Sequence, residues 1–92
     1  SHLGIKGFIR DIDTHTGISG ALIQVEGVLH PVRSVKNGVY WRLLLPGLHN
    51  VTVTAAGYLP QTRFNISVTN NDLTSLQLQK NFEILLAKEE EK

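Results

Sequence analysis

The residues able to do chemistry are few, and their spacing argues against most of it. Four histidines, His2, His15, His30 and His49, are the available nitrogen ligands, and none stands in an H-x-x-E, H-E-x-x-H or paired-His arrangement. They read as turn histidines facing water or local hydrogen-bond partners. Asp11 and Asp13 open like a calcium loop, but the position where such a loop needs its bidentate Glu is held by Leu22. A turn held by Asx hydrogen bonds is the expected structure there. Cysteine is absent, which removes thiolate nucleophiles, disulfides and Cys-type zinc sites. No serine sits in a G-x-S-x-G elbow, and no glycine-rich phosphate loop occurs. The carboxylates Asp11, Asp13, Glu26, Asp72 and Glu83 fall beside polar turns or on solvated faces, which does not suit paired acid/base work. No catalytic, cofactor-binding or metal residue is therefore assigned.

Two other features carry more weight. The tripeptides Asn50-Val51-Thr52 and Asn65-Ile66-Ser67 are N-glycosylation sequons, and strand parity puts both asparagines outward, where a glycan would leave the core undisturbed. Asn50 and Asn65 are thus candidate acceptors, and their use would place the parent protein in the secretory pathway. Phe8 shares parity with Lys6 and Arg10 rather than with Ile5 and Ile9. Either these three residues form a contact surface, or a local bulge turns Phe8 inward.

The elements that must position these groups are strands. With 92 residues, 41% apolar, 18% charged and a formal net charge of +1, the chain suits one domain with one core and little room for a deep cleft. Nine basic residues spread against eight acidic ones make no phosphate-binding cluster, so nucleic acid is not an expected partner. No run approaches the ~18 apolar residues of a membrane helix. The opening at Ser1 reads as the cut end of a longer chain.

Runs alternating with period two, broken by Gly, Asn, Asp and Pro, predict an all-β sandwich. The first strand spans residues 4–12 and the second 21–26, with Ala21, Ile23 and Val25 on one face. A third, residues 29–35, contains Pro31 and so belongs at an edge or a bulge. Asn37-Gly38 predicts a type I′ hairpin into a fourth strand, residues 39–45. That strand is expected to be central, with Val39, Trp41, Leu43 and Leu45 on one face against Tyr40, Arg42 and Leu44. A fifth, residues 50–55, points Val51, Val53 and Ala55 inward. A sixth, residues 61–68, sets Thr62, Phe64, Ile66 and Val68 against Arg63, Asn65 and Ser67. A turn at Asn70-Asn71-Asp72 precedes the last segment, where Leu76, Leu78, Phe82, Ile84 and Leu86 favour strand over helix.

The blocks Gly4-Ile5-Lys6-Gly7-Phe8-Ile9, Gly20 through Gly27, Tyr40-Trp41-Arg42-Leu43-Leu44-Leu45-Pro46-Gly47 and Ala56-Gly57-Tyr58 are similar to one family. The chain resembles the transthyretin-like (prealbumin-like) domain that follows the catalytic domain in N/E-subfamily zinc metallocarboxypeptidases such as carboxypeptidase D. It departs from the family at Val39, where Asp is usual, and in a longer stretch from Asn70 to Phe82.

The resemblance implies a seven- or eight-stranded antiparallel β-sandwich with transthyretin-like topology over residues 4–86. It also implies that residues 1–3 are a remnant of the catalytic-domain end or added residues, while the run Glu89-Glu90-Glu91 by itself marks 87–92 as an acidic tail or linker. The implied role is a noncatalytic accessory domain that packs on the preceding catalytic domain and supports its folding and stability. Zinc would be held by that domain, with none in this chain. The full-length protein would remove C-terminal Arg or Lys from secretory-pathway peptides, as a secreted or membrane-attached glycoprotein. Membrane or protein contacts, and self-association and aggregation of the isolated chain, are further expectations. The competing reading is an extracellular adhesion or carbohydrate-binding sandwich, with Tyr40, Tyr58 and Phe8 as candidate aromatics.

Overall fold

Inward-outward alternation is realised along most of the chain. The computed structural model describes residues 4–69 and 79–90. Among them are β1 (Gly4–Asp11), β2 (Leu22–Val25), β3 (Val32–Arg33), a 3₁₀ turn (Lys36–Gly38), β4 (Val39–Leu43), β5 (Gly47–Thr54), β6 (Gln61–Val68) and β7 (Gln79–Leu86). They form two sheets, ordered β4-β1-β7 and β3-β2-β5-β6. The inner faces meet in a core built from Ile5, Ile9, Tyr40, Leu44, Ile84 and Leu86 on one side and Ile23, Val25, Val51, Val53, Ile66 and Val68 on the other. This is the all-β sandwich that the alternation predicts. The Asn70-Asn71-Asp72 turn, Leu76 and Leu78 lie outside the described residues.

The last strand is strand, as favoured, through Leu86. It pairs in parallel with β1, from Gly4 opposite Gln79 to Asp11 opposite Leu86, while the other ladders are antiparallel. Alternation along one chain carries no information about strand direction, so this pair was not foreseeable.

Gly7 sits where β1 is crossed from side to side. It lies opposite Tyr40 on β4 and Phe82 on β7. The buried Tyr40 hydroxyl donates to the Phe82 carbonyl at 2.9 Å, a bond that spans β1 and ties both its neighbours together. A Cβ at position 7 would stand 1.5 Å from that same carbonyl oxygen. Only glycine allows the approach.

Three expectations are corrected. The segment from Val39 is the edge of its sheet, paired only with β1, and β1 is central. Of its two faces, the one with Tyr40 and Leu44 is buried, whereas Trp41, Leu43 and Leu45 are exposed. Leucines occupy both parities there, so hydropathy could not choose between them; the Tyr40 bond over Gly7 does. Next, the Asn37-Gly38 turn has the left-handed residues expected, φ 66° and 82°, yet it makes a corner, since β3 and β4 belong to different sheets. Finally, Phe64 does not point inward. β6 carries an extra residue opposite Asn50, with Asn65 at φ 59°, so parity changes between Arg63 and Ile66. Phe64 is consequently 70% exposed. β3, the Pro31 segment, is an edge strand as expected.

Candidate functional site

Two sheet faces turn outward, and each carries residues that a buried core would ordinarily claim. On the three-stranded sheet, β1 presents Lys6, Phe8 and Arg10. The β1 and β7 ladder runs without a break from Gly4 to Asp11, so no bulge turns Phe8 inward. The register places Trp41 beside Lys6, Val39 beside Phe8 and Leu43 beside Gly4 on one flank, with Glu83 and Leu85 on the other. The Arg10 guanidinium lies 4.2 Å from the centre of the Phe8 ring and pairs with Glu83 at 2.5 Å. Its charge is thereby partly spent within the face, while Lys6 stays exposed. Trp41 is 43% and Leu43 49% exposed. Lys6, Phe8 and Arg10 therefore share this face, one of the two arrangements the sequence allows, and Trp41 and Leu43 extend the patch toward the start of β1.

The opposite face, on the four-stranded sheet, carries a groove of ~530 Å³ lined by Gln24, Glu26, Val28, Asn50, Thr52, Thr62 and Phe64, with Val25 at its base. Both sequon asparagines meet at its rim. The Asn50 amide donates to Glu26 Oε1 at 2.8 Å, and its Oδ1 accepts the Asn65 backbone N–H at 3.0 Å. The Thr52 and Thr62 hydroxyls are 3.0 Å apart on adjacent strands. Sequence reasoning missed Phe64; the available signal was Asn65 within the run, since Asn tolerates left-handed φ far better than most residues.

The sequence profile of the carboxypeptidase regulatory-like domain matches residues 4–80, nearly the whole sandwich. The chain belongs to this family. Carboxypeptidase D of Anas platyrhynchos is 47% identical to it over 73 residues, covering 79% of this chain and 5% of that protein. Human carboxypeptidase D is 39% identical over 75 residues, covering 82% and 5%. The carboxypeptidase N catalytic chain of Rattus norvegicus is 48% identical over 61 residues, covering 66% and 13%. The chain therefore spans only a small part of these relatives, and the resemblance to the transthyretin-like domain of N/E-type carboxypeptidases is borne out. A chain of a type II cohesin–X-dockerin complex from Acetivibrio cellulolyticus superposes with a TM-score of 0.70 at 22% identity, over 91% of this chain and 56% of that one. That likeness concerns the fold alone.

In this regulatory-like domain Asp11 has a structural task. Its buried carboxylate accepts the backbone N–H groups of Asp13 (2.8 Å) and Thr14 (3.1 Å), the Asx turn expected in place of a calcium loop. Its other oxygen accepts the Tyr58 hydroxyl at 2.8 Å, with Lys88 Nζ 3.6 Å away. The Tyr58 hydroxyl above all, then the Thr14 and Asp13 N–H groups, hold the Asp11 pKa down to about 2. The same bond raises the Tyr58 phenol. Within the segment expected as a tail, Ala87 accepts from Leu59 N–H at 2.8 Å and Glu89 donates to Gly57 at 2.9 Å. Among the described residues no group of three or more His, Asp and Glu is placed to hold a metal ion.

Proposed function

We propose that this chain is the noncatalytic accessory domain of a zinc metallocarboxypeptidase. It packs on the catalytic domain that precedes it and supports that domain's folding and stability. The zinc and the substrate groups belong to that catalytic domain, and the full-length protein removes C-terminal Arg or Lys from peptides of the secretory pathway, in secreted or membrane-attached form. Family membership supports the reading, together with the sequons at Asn50 and Asn65.

The observation that carries it is the outer face of the three-stranded sheet. Phe8, Val39, Trp41 and Leu43 form an apolar strip rimmed by Lys6 and the Arg10–Glu83 pair, which is the composition of an interface core with a polar rim. The strip runs toward Gly4, so a domain joined ahead of β1 would be delivered to that end.

Two measurements test this. The purified chain, with and without added zinc, should leave a peptide with C-terminal Arg uncleaved; hydrolysis by a pure sample would refute the accessory role. In the full-length carboxypeptidase, Trp41→Ala with Leu43→Asp should cut the yield of secreted active enzyme several-fold while the isolated chain carrying both changes keeps its Tm. An unchanged yield would remove this face from the interface.

A further inference from the structure

We propose that the groove on the four-stranded sheet is the seat of the first sugar of an N-linked glycan on Asn50, with the Phe64 ring as its platform. The inference rests on the secretory reading above and adds to it the acceptor and the place of the glycan.

The groove is bounded by the sequon itself, with Asn50 and Thr52 outward on β5 and Val51 buried between them. The amide nitrogen carries two hydrogens, and one of them is committed to Glu26 Oε1. Glycosylation replaces one of the two. The nitrogen forms a bond to C1 of a diphosphate-activated oligosaccharide, the C1–O bond to phosphate breaks, the diphosphate carrier departs and one proton leaves the nitrogen. The Oδ1 bond from the Asn65 N–H is untouched by this change, and one amide hydrogen remains to donate to Glu26. Asn50 would therefore be held in one orientation after modification, with its sugar directed by groups already in place.

The neighbouring surface suits a pyranose. A sugar ring presents C–H groups on its faces and hydroxyls at its edge, so it needs an aromatic surface flanked by polar side chains. The bulge in β6 supplies the surface by placing Phe64 opposite Asn50 on the outer face, 70% exposed. Gln24, Glu26, Thr52 and Thr62 supply donors and acceptors around the same space. The exposed Phe64 ring lies beside an acceptor whose first sugar would bury part of it. Asn65 is itself exposed, with its backbone in the left-handed region that makes the bulge. The bulge is what delivers Phe64 to Asn50.

The experiment is to secrete the chain from eukaryotic cells behind a cleavable signal and map occupied sites by mass spectrometry after enzymatic deglycosylation. Occupied Asn50 is expected. The glycosylated chain should melt about 4 °C or more above the same chain made without glycan in a bacterial host, and this increment should vanish in Phe64→Ala. A secreted chain with Asn50 empty, whether or not Asn65 is used, overturns the proposal. So does an increment that Phe64→Ala leaves unchanged. The secretory reading fails separately, if the endogenous full-length protein fractionates with the cytosol; glycan at Asn65 alone would leave it standing while sinking the Asn50 seat.

Discussion

Asp11 is the residue on which most local structure converges. A carboxylate taken out of water is costly unless its lone pairs are filled, and here two backbone N–H groups and a phenol fill them. The folded state holds its pKa near 2, below the ordinary 3.8. Because the folded value is depressed, the contribution is fully present above pH 3.8 and declines as pH falls toward 2, where the folded form also takes up its proton. Urea unfolding at a series of pH values should show stability falling across that window. The decline should be shallower in Asp11→Asn, which should also have a lower midpoint at neutral pH. A variant with the same acid slope as the wild type would show that other carboxylates govern acid sensitivity. The Asx turn was legible from Asp11 and Asp13, whereas the partnership with Tyr58 and Lys88 joins residues far apart in the chain.

At the scale of the element, the three-stranded sheet is held by a tie that no strand contains. Tyr40 reaches over Gly7 to Phe82, and the two ends of that bond belong to the strands flanking β1. Tyr40→Phe should lose the hydrogen bond and leave the Phe82 carbonyl short of a partner, at a cost of about 1–3 kcal/mol. Gly7→Ala should cost about 3 kcal/mol or more, because the added methyl would have to displace backbone rather than a flexible side chain. Denaturant unfolding of the two variants checks the order: Gly7→Ala must be the more damaging. Equal stability of Gly7→Ala and wild type would mean that β7 can slide away from β1. The period-two pattern correctly marked where strands occur. It misplaced β4 because both of its faces are apolar, and it misoriented Phe64 because a bulge inserts one residue without any hydrophobic signal.

For the whole molecule, the sandwich leaves an edge strand, β4, whose outward face carries Trp41 and Leu43. An exposed edge with high β propensity is a template for further pairing. The isolated chain, heated or in mild acid, should therefore convert to β-rich aggregates sooner than the full-length protein, where the proposed catalytic partner covers that face. Leu43→Lys should delay aggregation of the isolated chain while changing its stability by no more than about 0.5 kcal/mol. A thioflavin time course on the three samples checks this, and equal lag times in the chain and the full-length protein would count against a covered face.

Sequence alone determined the class of fold and the absence of a recognisable catalytic motif, because alternation, turn residues and metal-ligand spacings are local along the chain. It also marked Asn50 and Asn65 as outward, and left Lys6, Phe8 and Arg10 either on one face or split by a bulge at Phe8. Only the tertiary structure decided that β1 is central and parallel to β7, that Trp41 and Leu43 face out, and that Phe64 stands opposite Asn50. Each of these depends on which strand lies beside which and in what register, quantities set by Gly7, the β6 bulge and the Asp11 hydrogen bonds acting across the sheets rather than along them.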